Sequence, residues 1–231
     1  SLREHSIYDC IINNAHNFPD EIALVSDDLR LTFGEVPLHV NSLSRGLLNM
    51  GFEKGDRIGV LLDNCAEYAL FLAACTRIGL ITVCLNTRTS ADEMRKMLEQ
   101  AKPKALIFQK SYEQQADELR ELNMHRQLYC IDEASISSSP FDQLLHEDSS
   151  PLNESQPALD DGWLIIPTAA VDGIPKGALL SQRNVMASVD VHLHHFGREK
   201  IKGHLVALPI FHVMGLTSAW ATFISAGKNV L

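Results

Sequence analysis

Short apolar runs alternate with stretches whose apolar residues recur at helical spacing along most of this chain. "IALVS" and "LRLTF" are two β-rich runs separated by Asp27-Asp28, which predicts a hairpin. Thr32 and Glu35 have the S/T-x-x-E spacing of a capping box, and the helix that follows sets Val36, Val40, Leu43, Leu47 and Met50 along one face. Pro37, read as lying just beyond the first turn, is expected to remove one backbone bond. Gly51 and Gly55 close the element. "RIGVLL" is a continuous apolar strand; the helix "AEYALFLAACTRI", Gly79 and the strand "LITVCL" complete a βαβ unit. Strands apolar on both faces belong in a parallel sheet covered by helices. Ser90 and Glu93 form a second capping box, opening a helix with Met94, Met97, Leu98 and Ala101 inward. Lys102-Pro103 stops it before "ALIF" resumes the sheet, and a helix at about 111–122 and the strand "LYCI" follow.

From Ala134 to Asp161 the composition turns to Ser, Pro and acids, which predicts a long surface connection. Directly after it comes "WLIIPTAAVDGIPKGALLSQRN", residues 163–184: an apolar strand, a turn ending in Pro-Lys-Gly, and a second apolar run that leads into a helix from about 183. The strand "HLVAL", the apolar helix "GLTSAWATFISA" and the strand-like "KNVL" end the sequence. A chain that stops inside a strand is expected to be part of a larger domain.

The 231 residues, 45% of them apolar, suffice for one large domain or two small ones. A net charge of −9 without a Lys/Arg-rich, aromatic-interleaved stretch excludes a nucleic-acid surface. Five cysteines without a C-x-x-C pair read as free, mostly buried thiols of a reducing compartment, which points to the cytoplasm. The most apolar window, "AEYALFLAACTRIGLITVCLN", is interrupted by Glu67, Arg77 and Gly79, and divides into helix and strand rather than a transmembrane segment. His192 and His195 share a helix face with His194 between them, but no carboxylate or cysteine is placed with them, so they read as a solvated face and no metal site is assigned.

The turn at 168–177 carries the candidate chemistry. A turn of small residues between buried strands presents backbone N–H groups as a nest for anions. Lys176 adds a point charge, and Gly173 allows close approach of the backbone. The Walker pattern G-x-x-x-x-G-K-[ST] is absent. On these residues alone the signal is weak, and a strand–turn–strand hairpin with an exposed lysine is the favoured reading.

Four segments taken in order alter that balance. "LTFGEV", "GFEKGDRIGVLLDNCAEYALFLAACTRIGLITVCLNTRTSADEM", "DGIPKGALLSQRN" and "LPIFHVMGL" resemble successive motifs of the adenylate-forming enzymes, which include the AMP-forming acyl-CoA synthetases. The resemblance runs from about residue 6 to the end. It implies an α/β fold, with mostly parallel sheets covered by helices, as part of a large N-terminal domain. It further implies ATP-dependent activation of a carboxylic acid, with a fatty acid as the expected substrate, to an acyl-adenylate, with Mg²⁺, and transfer to coenzyme A. By the same resemblance Thr168, Ala169, Ala170, Asp172, Gly173 and Lys176 fall in the ATP phosphate loop, and His212 and Gly215 beside the acyl substrate and adenylate.

Departures accompany the match. Ala169-Ala170-Val171-Asp172 stands where the family has Ser-Gly-Thr-Thr, so hydroxyls are missing and an acid faces the substrate's charge; Gln182 replaces a usual His. A degenerate, non-catalytic nucleotide or acyl binder is therefore the alternative, and an unrelated doubly wound α/β binding domain the third. The family's adenine motif, ribose-binding Asp, hinge and terminal lysine lie beyond 231. The resemblance thus implies an incomplete N-terminal adenylation domain over residues 1–231, inactive by itself.

Overall fold

The computed structural model describes residues 2–119, 127–132, 138–171, 174–197 and 201–231. Its centre is set by strands with no polar face. β3 (Arg57–Leu61), β4 (Ile81–Cys84), β5 (Ala105–Phe108) and β6 (Gln127–Cys130) bury almost every side chain and pair in parallel. Parallel neighbours require crossovers. α3 (Ala66–Ile78) and α4 (Ala91–Ala101) supply two of them, and α5 (Glu113–Leu119) belongs to the third. With β7 (Ser139–Pro140), β8 (Gly162–Val171) and β9 (Ile174–Ser181), the described strands form a seven-stranded sheet in the order β7-β6-β5-β3-β4-β8-β9. Only the β8–β9 pair is antiparallel in it.

A second, four-stranded sheet joins the two ends of the sequence. β1 (Ile22–Ser26) and β2 (Leu29–Thr32) form the expected hairpin across Asp27-Asp28. On its other side β1 pairs in parallel with β11 (Lys228–Val230), and β10 (Gly203–Leu205) pairs with β11. α1 (Ile7–Asn17), α2 (Val36–Asn49), α6 (Gln182–Phe196) and α7 (Val213–Ile224) complete the helical layers.

Local signals account for most helix ends. Ser90 and Glu93 close the capping box of α4, and Met94, Met97, Leu98 and Ala101 are its buried stripe. α3 ends at Gly79 with φ +78°, and its first amide is capped from outside: Ala66 N–H donates to the Ser26 hydroxyl on β1 at 3.2 Å. α6 opens one residue earlier than expected, on a box between Ser181 and Asn184. The helix after Thr32 differs from its sequence reading. Thr32 and Glu35 do exchange hydrogen bonds (2.8 and 3.3 Å), but α2 begins only at Val36, so the pair closes the turn ahead of it. Pro37 then sits in the first turn, where no N–H is required, and costs no bond. Met50 lies past the end and is 40% exposed.

The main core joins residues from both sheets with α1, α2, α3, α6 and α7, while a second cluster lies beneath α4 and α5 on the far face of the large sheet. Trp163 is buried in the main core, donating Nε1–H to Leu72 O at 3.0 Å and meeting Trp220 edge-on. Burial pushes the Cys75 and Cys84 thiols up to about 12, which makes them packing groups rather than nucleophiles. The Ser/Pro-rich stretch is not all surface: Ser139–Pro140 form β7 and Phe141 and Leu144 enter the main core, while the part after Leu144 is fastened to the helices by hydrogen bonds. Asn41 and Ser42 donate to Ser149 O and His146 O, and the buried Arg77 donates to Leu152 O and Glu154 O, each at 2.8 Å. Its first part, through residue 137, lies outside the described residues. Among the described residues no helix is long and apolar enough to cross a membrane.

Candidate active site

β4 and β8 are parallel neighbours, so the segments leaving their carboxyl ends emerge side by side. In open α/β sheets this is where ligands settle. Asn86 and Thr89 follow β4, and Pro167 and Thr168 belong to the outer part of β8. The segment after β10 brings Phe211 and His212 against them. Together they line a cavity of about 280 Å³. Leu85, Met94, Met97 and Phe211 give it an apolar side; Asn86, Thr89, Thr168 and His212 give it a polar one. Thr168 and His212, 44 positions apart in sequence, thus meet at one site.

His212 is the N-cap residue of α7, so the positive end of that helix borders the cavity. Its Nδ1 accepts from Met214 N–H at 3.4 Å. A neutral ring that accepts at Nδ1 carries its proton on Nε2, leaving an N–H donor there. Glu93, the carboxylate on the cavity wall, accepts from Ser90 N–H at 3.2 Å as the α4 cap. A donor-rich polar side beside an apolar wall suits a ligand with an anionic group and a hydrophobic body.

The structure describes the two arms of the 168–177 turn. β8 continues through Ala169 and Ala170 to Val171, and β9 restarts at Ile174. Thr168 faces Lys176 across the ladder, and its hydroxyl donates to Lys176 O at 3.0 Å. The register shifts between Thr168 and Val171, which leaves Ala169 and Ala170 out of the regular pairing. Lys176 is exposed and does not line the cavity. Asp172 and Gly173, the tip of this hairpin, lie outside the described residues. Gly177 is set by packing: a Cβ there would run into Ile165 on β8 and stand 3.6 Å from Met97 Cε.

Gly215 is not on the cavity wall but controls the approach to it. A Cβ at Gly215 would collide with Pro209 O and stand 2.7 Å from Leu208 O, so only glycine lets the 208–212 segment cross the first turn of α7 this closely. Gly215→Ala is expected to cost about 1–3 kcal/mol by overpacking and to displace His212. A thermal melt together with substrate kinetics checks both; an unchanged melting temperature would remove the close-approach argument.

The sequence reading did not single out Asn86, Thr89, Met97 or Phe211 for the site. Asn86 and Thr89 lie in the second of the four motif-like segments, Phe211 in the fourth and Met97 on the inward stripe of α4, but only folding brings them together. A larger cavity, about 520 Å³ near His5, Asp9, Asp190 and His194, holds none of the expected residues. Size alone is a poor guide here, because the smaller cavity is the one at the strand ends. His192 packs tilted against Phe196 and His195 meets it edge-on, and among the described residues no group of three His, Cys, Asp or Glu could hold a metal ion.

A family model described as AMP-binding enzyme matches residues 12–231. The chain belongs to the AMP-binding enzyme family. That membership removes the unrelated doubly wound domain from consideration. Among curated members, 4-coumarate–CoA ligase 3 of Arabidopsis thaliana is 28% identical over 210 residues, covering 87% of this chain and 36% of that protein. The 2-succinylbenzoate–CoA ligase of Bacillus velezensis is 27% identical and covers 96% and 43%. The chain thus spans less than half the length of these relatives. A crystal structure from Rhodopseudomonas palustris, assigned as a long-chain-fatty-acid CoA ligase, superposes with a TM-score of 0.90 at 30% identity, over 98% of this chain and 57% of that one. The o-succinylbenzoate CoA synthetase of Bacillus subtilis, in complex with its acyl-adenylate, shares the fold with a TM-score of 0.78 at 24% identity, over 96% and 55%.

Proposed function

We propose that the complete protein activates a carboxylic acid with ATP and passes the acyl group to coenzyme A. In the first step a carboxylate oxygen attacks the α-phosphorus and pyrophosphate leaves; in the second the thiol sulfur attacks the acyl carbon and AMP leaves. The observation that carries this reading is the convergence of Thr168 and His212 on one cavity in a chain of the AMP-binding family. Thr168, the backbone of Ala169 and Ala170, Asp172, Gly173 and Lys176 are the proposed phosphate contacts. His212 Nε2–H and the segment that Gly215 admits are the proposed contacts to the acyl group and adenylate.

Charge on the transferring phosphate must be neutralised, and oriented donors and a lysine do this best when water is excluded. Mg²⁺ fits as a companion of the nucleotide. It keeps near-octahedral oxygen coordination and is commonly held by substrate phosphates with one or two carboxylates. The one carboxylate on this cavity wall, Glu93, is engaged as a helix cap. The ion would screen phosphate charge, and no step is assigned to a protein-held metal.

The apolar wall of Leu85, Met94, Met97 and Phe211 supports a hydrophobic acid, with a fatty acid as the leading candidate. One feature favours a second reading, a binder without catalysis. The Ala169-Ala170-Val171 run has no hydroxyl, and the Thr168 hydroxyl is directed to Lys176 O. On either reading the 231 residues alone are expected to be inactive.

ATP–pyrophosphate exchange by the complete protein, across short, medium, long and aromatic acids, tests this. Acid-dependent exchange supports ligation, and the preferred acid names the substrate class. Silence from a folded protein, with nucleotide still bound in calorimetry, supports the binder. If the loop is merely weakened, Ala169→Ser with Asp172→Thr raises exchange about tenfold or more, since a hydrogen bond to a charged group contributes roughly 1.5–3 kcal/mol. No change would mean that backbone amides already suffice.

A further inference from the structure

Asn64 lies after β3 in the large sheet, two residues before α3, and makes three hydrogen bonds to the segment that follows β10 of the small sheet. Its Nδ2 donates to Val206 O at 2.8 Å and to Leu208 O at 2.9 Å, while its Oδ1 accepts from Ile210 N–H at 2.9 Å. Two carbonyls on one side and an amide on the other fix which atom of the side chain is oxygen. They also make asparagine hard to replace: a carboxylate would set an oxygen against two carbonyl oxygens, and an aliphatic residue would leave all three backbone groups without this partner.

The clasped segment ends on His212. Around it Leu205 and Leu208 are 69% and 53% exposed, so between Val206, which is buried in the core, and Ile210 side-chain burial does little to hold this stretch. At its start Val206 N–H donates to Val230 O at 2.8 Å, and beyond that point its backbone is held from two directions. Asn64 takes Leu208 O from the large sheet, and the first turn of α7, bare at Gly215, lies directly against the 208–209 carbonyls. His212 N–H donates to Pro209 O at 3.1 Å within the same stretch, and its ring lines the cavity shared with Thr168. We infer that Asn64 is a positioning residue: it sets the height of the 206–210 segment across the gap between the two sheets, and through it the placement of His212 against the acyl end of the substrate. It touches neither substrate. The inference rests on the acid-activating reading of the site.

A shift of about 1 Å at a reacting centre can reduce turnover by around a hundredfold. In the complete protein, Asn64→Ala is expected to raise KM for the acid about ten- to a hundredfold and to leave KM for ATP near its wild-type value. Asn64→Asp keeps only the bond from Ile210 and should fall at least as far. Because Asn64 acts through His212, the loss must be non-additive: in a His212→Ala background, Asn64→Ala should add little. Hydrogen exchange of peptides spanning 206–212 should accelerate in both Asn64 variants, with exchange elsewhere unchanged. Acid kinetics equal to wild type, equal losses for acid and ATP, or additivity with His212→Ala would each overturn the inference, as would unaltered exchange at 206–212. Silence of the wild type in pyrophosphate exchange would instead overturn the functional reading, and the 206–212 exchange rates would still decide whether Asn64 holds the segment.

Discussion

Lys176→Ala in the complete protein is expected to lower kcat/KM for ATP by about ten- to a hundredfold, the kinetic equivalent of roughly 1.5–3 kcal/mol for one charge-assisted contact. The lysine stands on β9 directly across from Thr168, and its side chain is exposed. Nothing in the packing of the hairpin therefore needs the ammonium, so the variant should fold and melt like the wild type. In the proposed phosphate site, Ala169-Ala170-Val171 offers no hydroxyl to share the phosphate load, which leaves a larger part of it to this one charge. KM for the acid should change much less, because the proposed acid contacts are on the His212 side of the cavity, which Lys176 does not line. Steady-state kinetics with ATP and acid varied in turn separate the two. Unchanged ATP kinetics would remove Lys176 from the phosphate site, and an equal loss for both substrates would point to a disturbed hairpin.

A second large effect is expected far from the site, at Gly46. In an exposed helix, glycine to alanine stabilises by about 1 kcal/mol. Here the sign should reverse. A Cβ at Gly46 on α2 would fall within the Leu144 carbonyl and 3.2 Å from Leu145 C, backbone atoms of the segment seated on that helix. Ser42 Oγ bonds His146 O at 2.6 Å, His146 N–H returns a bond to Ser42 O, and Arg45 pairs with Asp148 at 3.3 Å. The helix and the segment therefore cannot part without losing several contacts, and Leu144 would leave the core. Gly46→Ala should lower the melting temperature by about 5–10 °C, from an overpacking cost of about 1–3 kcal/mol or somewhat more and 2–4 °C per kcal/mol for a domain of this size. A melting temperature at or above wild type would show that 141–148 is not docked on α2.

The Ser/Pro-rich connection shows why parts of the fold were hard to read. Its composition marks it as surface, but composition does not report that buried Arg77, embedded in a mostly apolar helix, reaches out to hold its carbonyls. The misreading at Pro37 has a local cause. The Thr32–Glu35 pair has capping-box spacing, yet the chain makes a turn there before the helix starts, which moves the proline into a position that tolerates it.

What this sequence determined by itself is whatever depends on near neighbours. The both-sided apolarity of 57–61, 81–84 and 105–108 made parallel strands, Ser90 with Glu93 started a helix, and Gly79 ended one. The order of four motif-like segments pointed to the AMP-binding family before any contact was known. Only the tertiary structure decided that β1 lies against β11, some 200 residues away, that Asn64 holds the segment leading to His212, and that Asn86, Thr168 and His212 share a cavity. The division has a physical reason. Helix caps and alternation are short-range preferences written in adjacent residues, whereas a site at the ends of parallel strands draws its walls from distant segments that meet only when the sheets close over a common core.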